Sequence, residues 1–540
     1  MSQSQDYVAM PKIPLDVISA IFENLRNRHQ PNPRLINPKY ASESLRWIPE
    51  ATHVCHYWRE AAISTRNLWR NINLVASIPW ALEFARRSGS SPICIVVQPS
   101  QGAVRHPKFY NCLKTLVHEN IQRIQRLELL QIDNKERALI KSALSDDAQT
   151  PGPGVEPAIY PILEDLKISL HSPVALFPFF LTNGMLRAPE LKRLSLASCL
   201  VAVDAGPFQN LSQLSISIKP FSNVVNHLHR VLLQMPNLKE LFLLPDWKWT
   251  FLSNAVYAIS QIQPVILPNL RHIEVRGWDI IWISAILKAI AYGPQRCLCI
   301  NPGQYRGVDQ LLSLFTCVMS HATETSLRRL DLTIYPSSLM GLWFRAWQGD
   351  LEFDEPDISL VTPLCSKEVF LSRENFEFGT IELLEGLLHR VNYKDLQALN
   401  LDIAEVLPNS TWVRLFGSLP SLDSIEVSWS EQELFGALGD GIEDIPTQSK
   451  DTNSSAPMVP FQRLKEIKVS RRSAELYTEE EMDFMLKCLR KRLNLGVGLK
   501  NLIFYFRGFE DSDDVLSDLK VQLNAFKEVV EVEFEFDEFG

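Results

Sequence analysis

Ala188-Pro189-Glu190-Leu191-Lys192-Arg193-Leu194-Ser195-Leu196 is one copy of a template that recurs along this chain. The template is an apolar residue, Pro or Gln, any residue, then Leu-x-x-apolar-x-apolar. Further copies run from Tyr160 to Ile168, Phe208 to Ile216, Met235 to Leu243, Leu267 to Val275, Leu419 to Val427 and Phe461 to Val469. The bare Leu-x-x-Leu-x-Leu core also fits Ile124–Leu129, Leu327–Leu332, Leu396–Leu401 and Leu499–Phe504. In a chain that is 46% hydrophobic, that bare core is weak evidence. The proline offset strengthens it. Pro161, Pro189, Pro236, Pro268 and Pro420 each stand two residues before the first leucine, although proline fills only 33 of 540 positions. Proline there ends a preceding helix and stands ahead of a strand, where a missing N–H is tolerated.

Between the copies lie helical patterns: Val224, Leu228, Val231, Leu232 and Met235; Val308, Leu311, Leu312, Phe315, Val318 and Met319; Met482, Met485, Leu486, Leu489 and Leu493. A strand followed by a helix, repeated, resembles a leucine-rich repeat. The resemblance implies an α/β fold: an irregular solenoid over 71–540, with a parallel sheet on its concave face and helices outside. The repeats are degenerate. Only Leu191–Cys199 reaches the Asn/Cys position of the full motif, and the gaps from Leu270 to Leu327 and from Leu327 to Leu396 each imply at least one degenerate unit. Gln295, Leu298 and Ile300 offer a strand in the first gap. The stretches 145–157 and 440–460 read as loops or disordered insertions. Val530–Asp537 alternates strictly, as a final strand with one buried face would, and its acids discourage edge pairing.

The N-terminal region differs. Pro11-Lys-Ile-Pro-Leu-Asp-Val-Ile-Ser-Ala-Ile-Phe-Glu-Asn-Leu25 places Leu15, Ile18, Phe22 and Leu25 at helical spacing, with Asp16 near the positive end of the helix dipole. After a polar insertion, 26–48, the stretch Ala51–Trp69 repeats the rhythm with Ala51, Val54, Cys55, Trp58, Ala61 and Ala62. Helices this short cannot bury so much apolar surface alone. Ile13, Pro14, Asp16, Ile18, Ile21, Phe22 and Leu25, then Val54, Cys55, Trp58, Arg59, Ser64, Thr65, Leu68 and Trp69, resemble an F-box over 11–70, in the manner of fungal, basidiomycete-type F-box proteins. In that family the helices dock on the Skp-type adaptor of cullin-based SCF ubiquitin ligases. The resemblance implies that Ile13, Pro14, Leu15, Ile18, Val54, Cys55 and Trp58 lie at or just behind that interface. The competing reading is a helical pair packed wholly against its own domain.

Bulk properties narrow the classes. A chain of 540 residues exceeds one ordinary core. A net charge of -9 argues against a nucleic-acid partner. Nine cysteines without ladder spacing read as reduced thiols, hence a cytoplasmic or nuclear protein. The first residues lack a signal peptide's charged and apolar regions, and Val174–Leu181 and Ile280–Tyr292 are too short or interrupted for a bilayer. No phosphate loop, dinucleotide fingerprint or nucleophile elbow occurs. Cys297 and Cys299 have no second pair at zinc spacing, and His227 and His229 point to different helix faces. His53 and His56 read as surface, and Cys55 as core. The expectation is therefore no metal, no cofactor and no catalysis.

What remains is recognition. The residues flanking the apolar pair of each strand face the concave side, among them Arg193, Phe242, His272 and Arg276, with Trp247 and Trp249 beyond one strand end. Aromatic and Arg side chains carry much interface energy. Packing of the tryptophans, including Trp278 and Trp282, against interrepeat helices is the competing reading. The resemblance implies a non-catalytic, substrate-recruiting subunit of an SCF-type ligase, binding a Skp-type adaptor, through it a cullin, and a target protein. The alternative is a protein–protein interaction scaffold not linked to ubiquitylation.

Overall fold

The structure, a computed structural model, describes residues 13–29, 45–74, 77–98, 107–133, 159–171, 179–181, 187–202, 208–218, 224–244, 263–291, 297–301, 308–320, 329–334, 341–347, 367–372, 381–382, 384–386, 394–403, 406–428, 431–440, 459–471, 477–507, 521 and 523–537. The chain divides into two compact units, Met1–Thr250 and Phe251–Gly540. The expected boundary at residue 70 falls inside the first. The candidate loop 145–157 and most of 440–460 lie outside the described residues, as do Trp247 and Trp249.

Unit one opens with helices α1 (Leu15–His29), α2 (Trp47–Thr52) and α3 (His56–Ser64) and a 3-10 turn, Arg66–Trp69. There follow β1 (Asn71–Asn73), α4 (Ile78–Arg87), β2 (Ile93–Val97), α5 (Pro107–Asn120), β3 (Ile124–Asp133), β4 (Asp165–His171), β5 (Phe179–Leu181), β6 (Arg193–Ala197), β7 (Cys199–Val201), β8 (Gln213–Ser217), α6 (Val224–Leu232) and β9 (Glu240–Leu244). The strands β1, β2, β3, β4, β6, β8 and β9 pair in parallel, in that order, while β5 and β7 form a small parallel pair of their own.

The register explains the template. Ile72, Ile95, Leu127, Leu166, Leu194, Leu214 and Leu241 form one row across this sheet; Val97, Leu129, Ile168, Leu196, Ile216 and Leu243 form the next. All of them are buried. Parallel strands require crossovers, and α6 contributes Val224, Val225, Leu228, Val231 and Leu232 to the same core. Along β4, β6 and β8 the alternate residues are mostly polar, whereas β2 places Cys94 and Val96 on that face.

The template's opening is a tight turn rather than a helix end. Leu191, Leu211, Leu238 and Leu270 each donate their N–H to the carbonyl three residues back, on Ala188, Phe208, Met235 and Leu267, at 3.1 to 3.2 Å. Proline, where present, occupies the second turn position, for which its fixed φ is suited. Each turn then docks on its predecessor: the Glu164 carbonyl accepts from Lys192 and Arg193, the Lys192 carbonyl from Ser212 and Gln213, and the Ser212 carbonyl from Lys239 and Glu240.

Unit two contains β10 (Val265–Ile266), β11 (His272–Arg276), α7 (Ile280–Lys288), β12 (Ile290–Ala291), β13 (Cys297–Asn301), α8 (Val308–Ser320), β14 (Arg329–Ile334), β15 (Gly341–Trp347), β16 (Lys367–Ser372), β17 (Ala398–Ile403), α9 (Asn409–Phe416), β18 (Ser424–Ser428), α10 (Glu431–Asp440), β19 (Glu466–Arg471), α11 (Glu479–Asn494), β20 (Asn501–Arg507) and β21 (Glu531–Asp537). From β17 to β21 the strands again pair in parallel and in chain order. β13 fills the first long gap, as Leu298 and Ile300 suggested. The second gap is different. There β15 runs antiparallel to both β14 and β16, and β16 pairs parallel with β13. The expected purely parallel arrangement is thus interrupted by a three-stranded antiparallel excursion. Trp278 and Trp282 are buried, in line with the packing reading. No helix among the described residues is long and apolar enough to cross a membrane.

Candidate partner-docking surfaces

The first candidate is the helical cluster of unit one. Its inner side is set by Ile18 and Phe22 of α1, Trp47, Ile48 and Ala51 of α2, Ala61 and Ala62 of α3, and Leu68 and Trp69, all buried. Trp58 is half-buried, its ring edge-on to Phe22 with centroids 5.4 Å apart. Trp47 and Trp69 lie against each other and against Phe84 of α4, so the cluster shares its core with that helix.

Polar ties hold the helices together. Ser19 and Thr65 join their hydroxyls at 3.1 Å. Arg59 Nε donates to the Thr52 carbonyl at 3.0 Å, and Trp69 Nε1 to the Ala62 carbonyl at 2.9 Å. Arg26 Nη1 donates to the Asn67 carbonyl at 2.8 Å, and burial lowers the pKa of that guanidinium. Tyr57 donates its hydroxyl to the Ile13 carbonyl at 2.9 Å.

The outer side mixes polar groups, among them Asp16, His56 and Glu60, with exposed apolar side chains. Ile13 is 41% exposed, Leu15 53%, Val17 45%, Val54 57% and Ile63 37%, and Pro14 is exposed as well. Isolated exposed side chains of this kind are ordinary; five in one short helical cluster make it the first candidate for a docking surface.

Several expectations change here. The stretch Ala51–Trp69 is not one helix: the chain breaks at His53–Cys55, where Cys55 caps α3 and its Sγ accepts the Trp58 N–H at 3.5 Å. Cys55 is therefore exposed rather than core, because a cap residue stands outside the helix. Ile18 is fully buried, just behind the surface, which is one of the two places expected for it. The polar insertion is shorter than 26–48, since α1 continues to His29 and Trp47 and Ile48 are core. Val17 and Ile63, missed in the sequence, lie off the apolar stripe. An apolar residue out of phase with a buried helical stripe is the signal that would have found them.

The second candidate is the polar sheet face. In unit one, Arg126, Asp165, Arg193, Gln213 and Glu240 occupy one row, and Glu128, Lys167, Ser195, Ser215 and Phe242 the next. Arg193 is exposed and pairs with Asp165 at 3.1 Å; Arg126 approaches the same carboxylate at 3.5 Å and also pairs with Glu128. Burial alone would lower the Arg126 pKa, but Glu128 and Asp165 outweigh it and hold the group raised. Phe242 is half-buried in that row. In unit two, His272 and Arg276 flank Glu274 on β11, with His272 Nε2 3.6 Å from the carboxylate. Burial would raise the Glu274 pKa; His272 and Arg276 prevail and hold it below the usual carboxylate range.

Among the described residues, no three His, Cys, Asp or Glu side chains come together as a metal site. His227 Nε2 lies 2.8 Å from the Val201 carbonyl, and burial lowers its pKa. Cys112 and Cys317 are buried thiols whose pKa values burial raises, which makes them poor nucleophiles. Compared with known proteins, the chain matches no family model and no curated protein sequence.

Proposed function

We propose that this chain is the substrate-recruiting subunit of an SCF-type cullin ubiquitin ligase. An F-box formed by α1, α2, α3 and the 3-10 turn would hold a Skp-type adaptor. A degenerate leucine-rich-repeat solenoid would hold the target on the polar faces of its sheets. The single observation that carries the reading is the exposed set Ile13, Leu15, Val17, Val54 and Ile63 in a helical cluster whose interior is sealed in the core. Its support in sequence is the ordered match of Ile13, Pro14, Asp16, Phe22, Val54, Cys55, Trp58, Arg59 and Leu68–Trp69 to the F-box pattern.

The chain would perform no bond chemistry. It would raise the target's local concentration beside the charged ubiquitin carrier, an effect of proximity alone. The polar face suits this role, because paired charges and a few aromatic groups give specificity without requiring tight burial.

The test is co-purification of the full chain with a Skp-type adaptor, then reconstitution with a cullin. Wild type should capture the adaptor, and Leu15→Asp with Val54→Asp should lose it while keeping the same melting temperature. Trp58 is unsuited to this test, because it packs on Phe22 and its loss would disturb the fold. A wild-type chain that leaves the adaptor behind would sink the proposal. Capture without ubiquitylation of any bound partner would leave a scaffold instead.

A further inference from the structure

Ile13 stands just outside α1. The first helical hydrogen bond runs from the Ile18 N–H to the Pro14 carbonyl at 3.1 Å, so the helix itself supplies no donor for the Ile13 carbonyl. Pro14 restricts Ile13 to extended backbone, and the segment Ile13–Leu15 carries two of the exposed apolar side chains of the cluster. Exposed residues at the start of a helix fray unless something anchors them.

Tyr57 provides that anchor. It occupies the first turn of α3, in the segment that follows the exposed Val54, and its hydroxyl reaches across 44 residues of sequence to the Ile13 carbonyl. The neighbouring Trp58 fixes α3 against Phe22, one residue type holding the interior and the next holding the rim. The consequence is geometric: the stretch carrying Ile13 and Leu15 is held beside the stretch carrying Val54.

We infer that Tyr57 is a positioning residue for the docking surface, joining the Ile13–Leu15 and Val54 segments into one apolar surface before a partner arrives. The inference rests on the reading of this surface as the adaptor-docking site. A surface ordered in advance loses less affinity to the cost of ordering on binding.

The test measures the affinity of the full chain for a purified Skp-type adaptor in four forms: wild type, Tyr57→Phe, Leu15→Ala and the double variant. Phenylalanine keeps the ring and removes only the hydroxyl. Tyr57→Phe should weaken binding roughly threefold to tenfold, the range of one net hydrogen bond, through faster dissociation and with an unchanged melting temperature. In the Leu15→Ala background the same change should cost less than about twofold, because the side chain being positioned is already gone. A merely structural tyrosine would lower the melting temperature and cost the same in both backgrounds, which would overturn the inference. Tyr57→Phe binding as tightly as wild type would overturn it too, with the adaptor reading left standing. Failure of the wild-type chain to bind the adaptor would remove both.

Discussion

The indole rings of Trp47 and Trp69 lie 5.3 Å apart, and the Phe84 ring approaches both, at 6.4 and 5.0 Å. Trp47 comes from α2, Trp69 from the 3-10 turn and Phe84 from α4, so three separate elements meet in one aromatic cluster. The Arg87 guanidinium covers the Trp69 ring at 4.3 Å, closing the cluster from outside. This cluster packs the candidate docking helices against α4. Trp47→Ala should cost about 3–5 kcal/mol of stability, the usual price of an emptied aromatic site. Urea unfolding followed by circular dichroism would measure it, and a loss below about 1 kcal/mol would mean the neighbours close over the gap.

Arg492 of α11 is fully buried and forks onto two carbonyls, Nη1 to Pro460 at 3.0 Å and Nη2 to Phe461 at 2.8 Å. Phe461 has a φ of 57°, a conformation that costs energy in any non-glycine residue, and the fork helps to hold it. Arg492→Lys should lose about 1.5–3 kcal/mol, because an ammonium cannot bridge both acceptors with the planar fork. Burial lowers the Arg492 pKa to about 10. The folded chain therefore gives up this proton more readily than the unfolded one, and the linked change in stability begins only near pH 10. Wild-type stability should therefore show no contribution from Arg492 titration between pH 6 and pH 8 in chemical denaturation.

Glu83 accepts hydrogen bonds from Arg86 and Arg87 at 2.6 to 2.8 Å. The Arg86 hydrogen bond leads in pulling its pKa down to about 2, with burial opposing and Arg87 assisting. A carboxylate depressed in the folded state stabilises above its ordinary range and loses that contribution as pH falls toward about 2. Glu83→Gln should cost at most about 1 kcal/mol at pH 7, since the cluster is partly open to water, and the difference from wild type should shrink toward pH 2. Melting curves across that range would show it.

The turns that open the repeats allow a paired test. Pro236 sits in the turn closed by the Leu238 N–H to the Met235 carbonyl at 3.1 Å, and Gln209 takes the equivalent place in the turn from Phe208 to Leu211. Pro236→Ala should destabilise by about 0.4–1 kcal/mol, and Gln209→Pro should stabilise by a similar amount, both through the entropy of the unfolded chain. Opposite signs in thermal melts are the expected result. Destabilisation by Gln209→Pro would mean that the Gln209 N–H or the backbone of Phe208 opposes the ring.

Much of this arrangement was legible in residue order. Leu194 and Leu196, with their counterparts in each copy, announced strands with one apolar face, and every copy of the template is a strand in the structure. Val224–Leu232 and Glu479–Asn494 announced themselves as helices by spacing. The exposed Leu15 and Val54 were expected at a surface. Cys55 was misread as core because spacing says which residues share a face, and cannot say where a helix breaks.

Periodicity is a local property, written by the backbone geometry of 2.0 or 3.6 residues per repeat, and so the chain alone determined the strands, the helices and their apolar sides. Pairing is a relation between segments far apart in sequence. The antiparallel course of β15, the burial of Trp47 out of an apparently polar insertion, and the bond from Tyr57 to Ile13 exist only once those segments meet. Tertiary structure decided them because the free energy that fixes each belongs to the contact and to neither partner by itself.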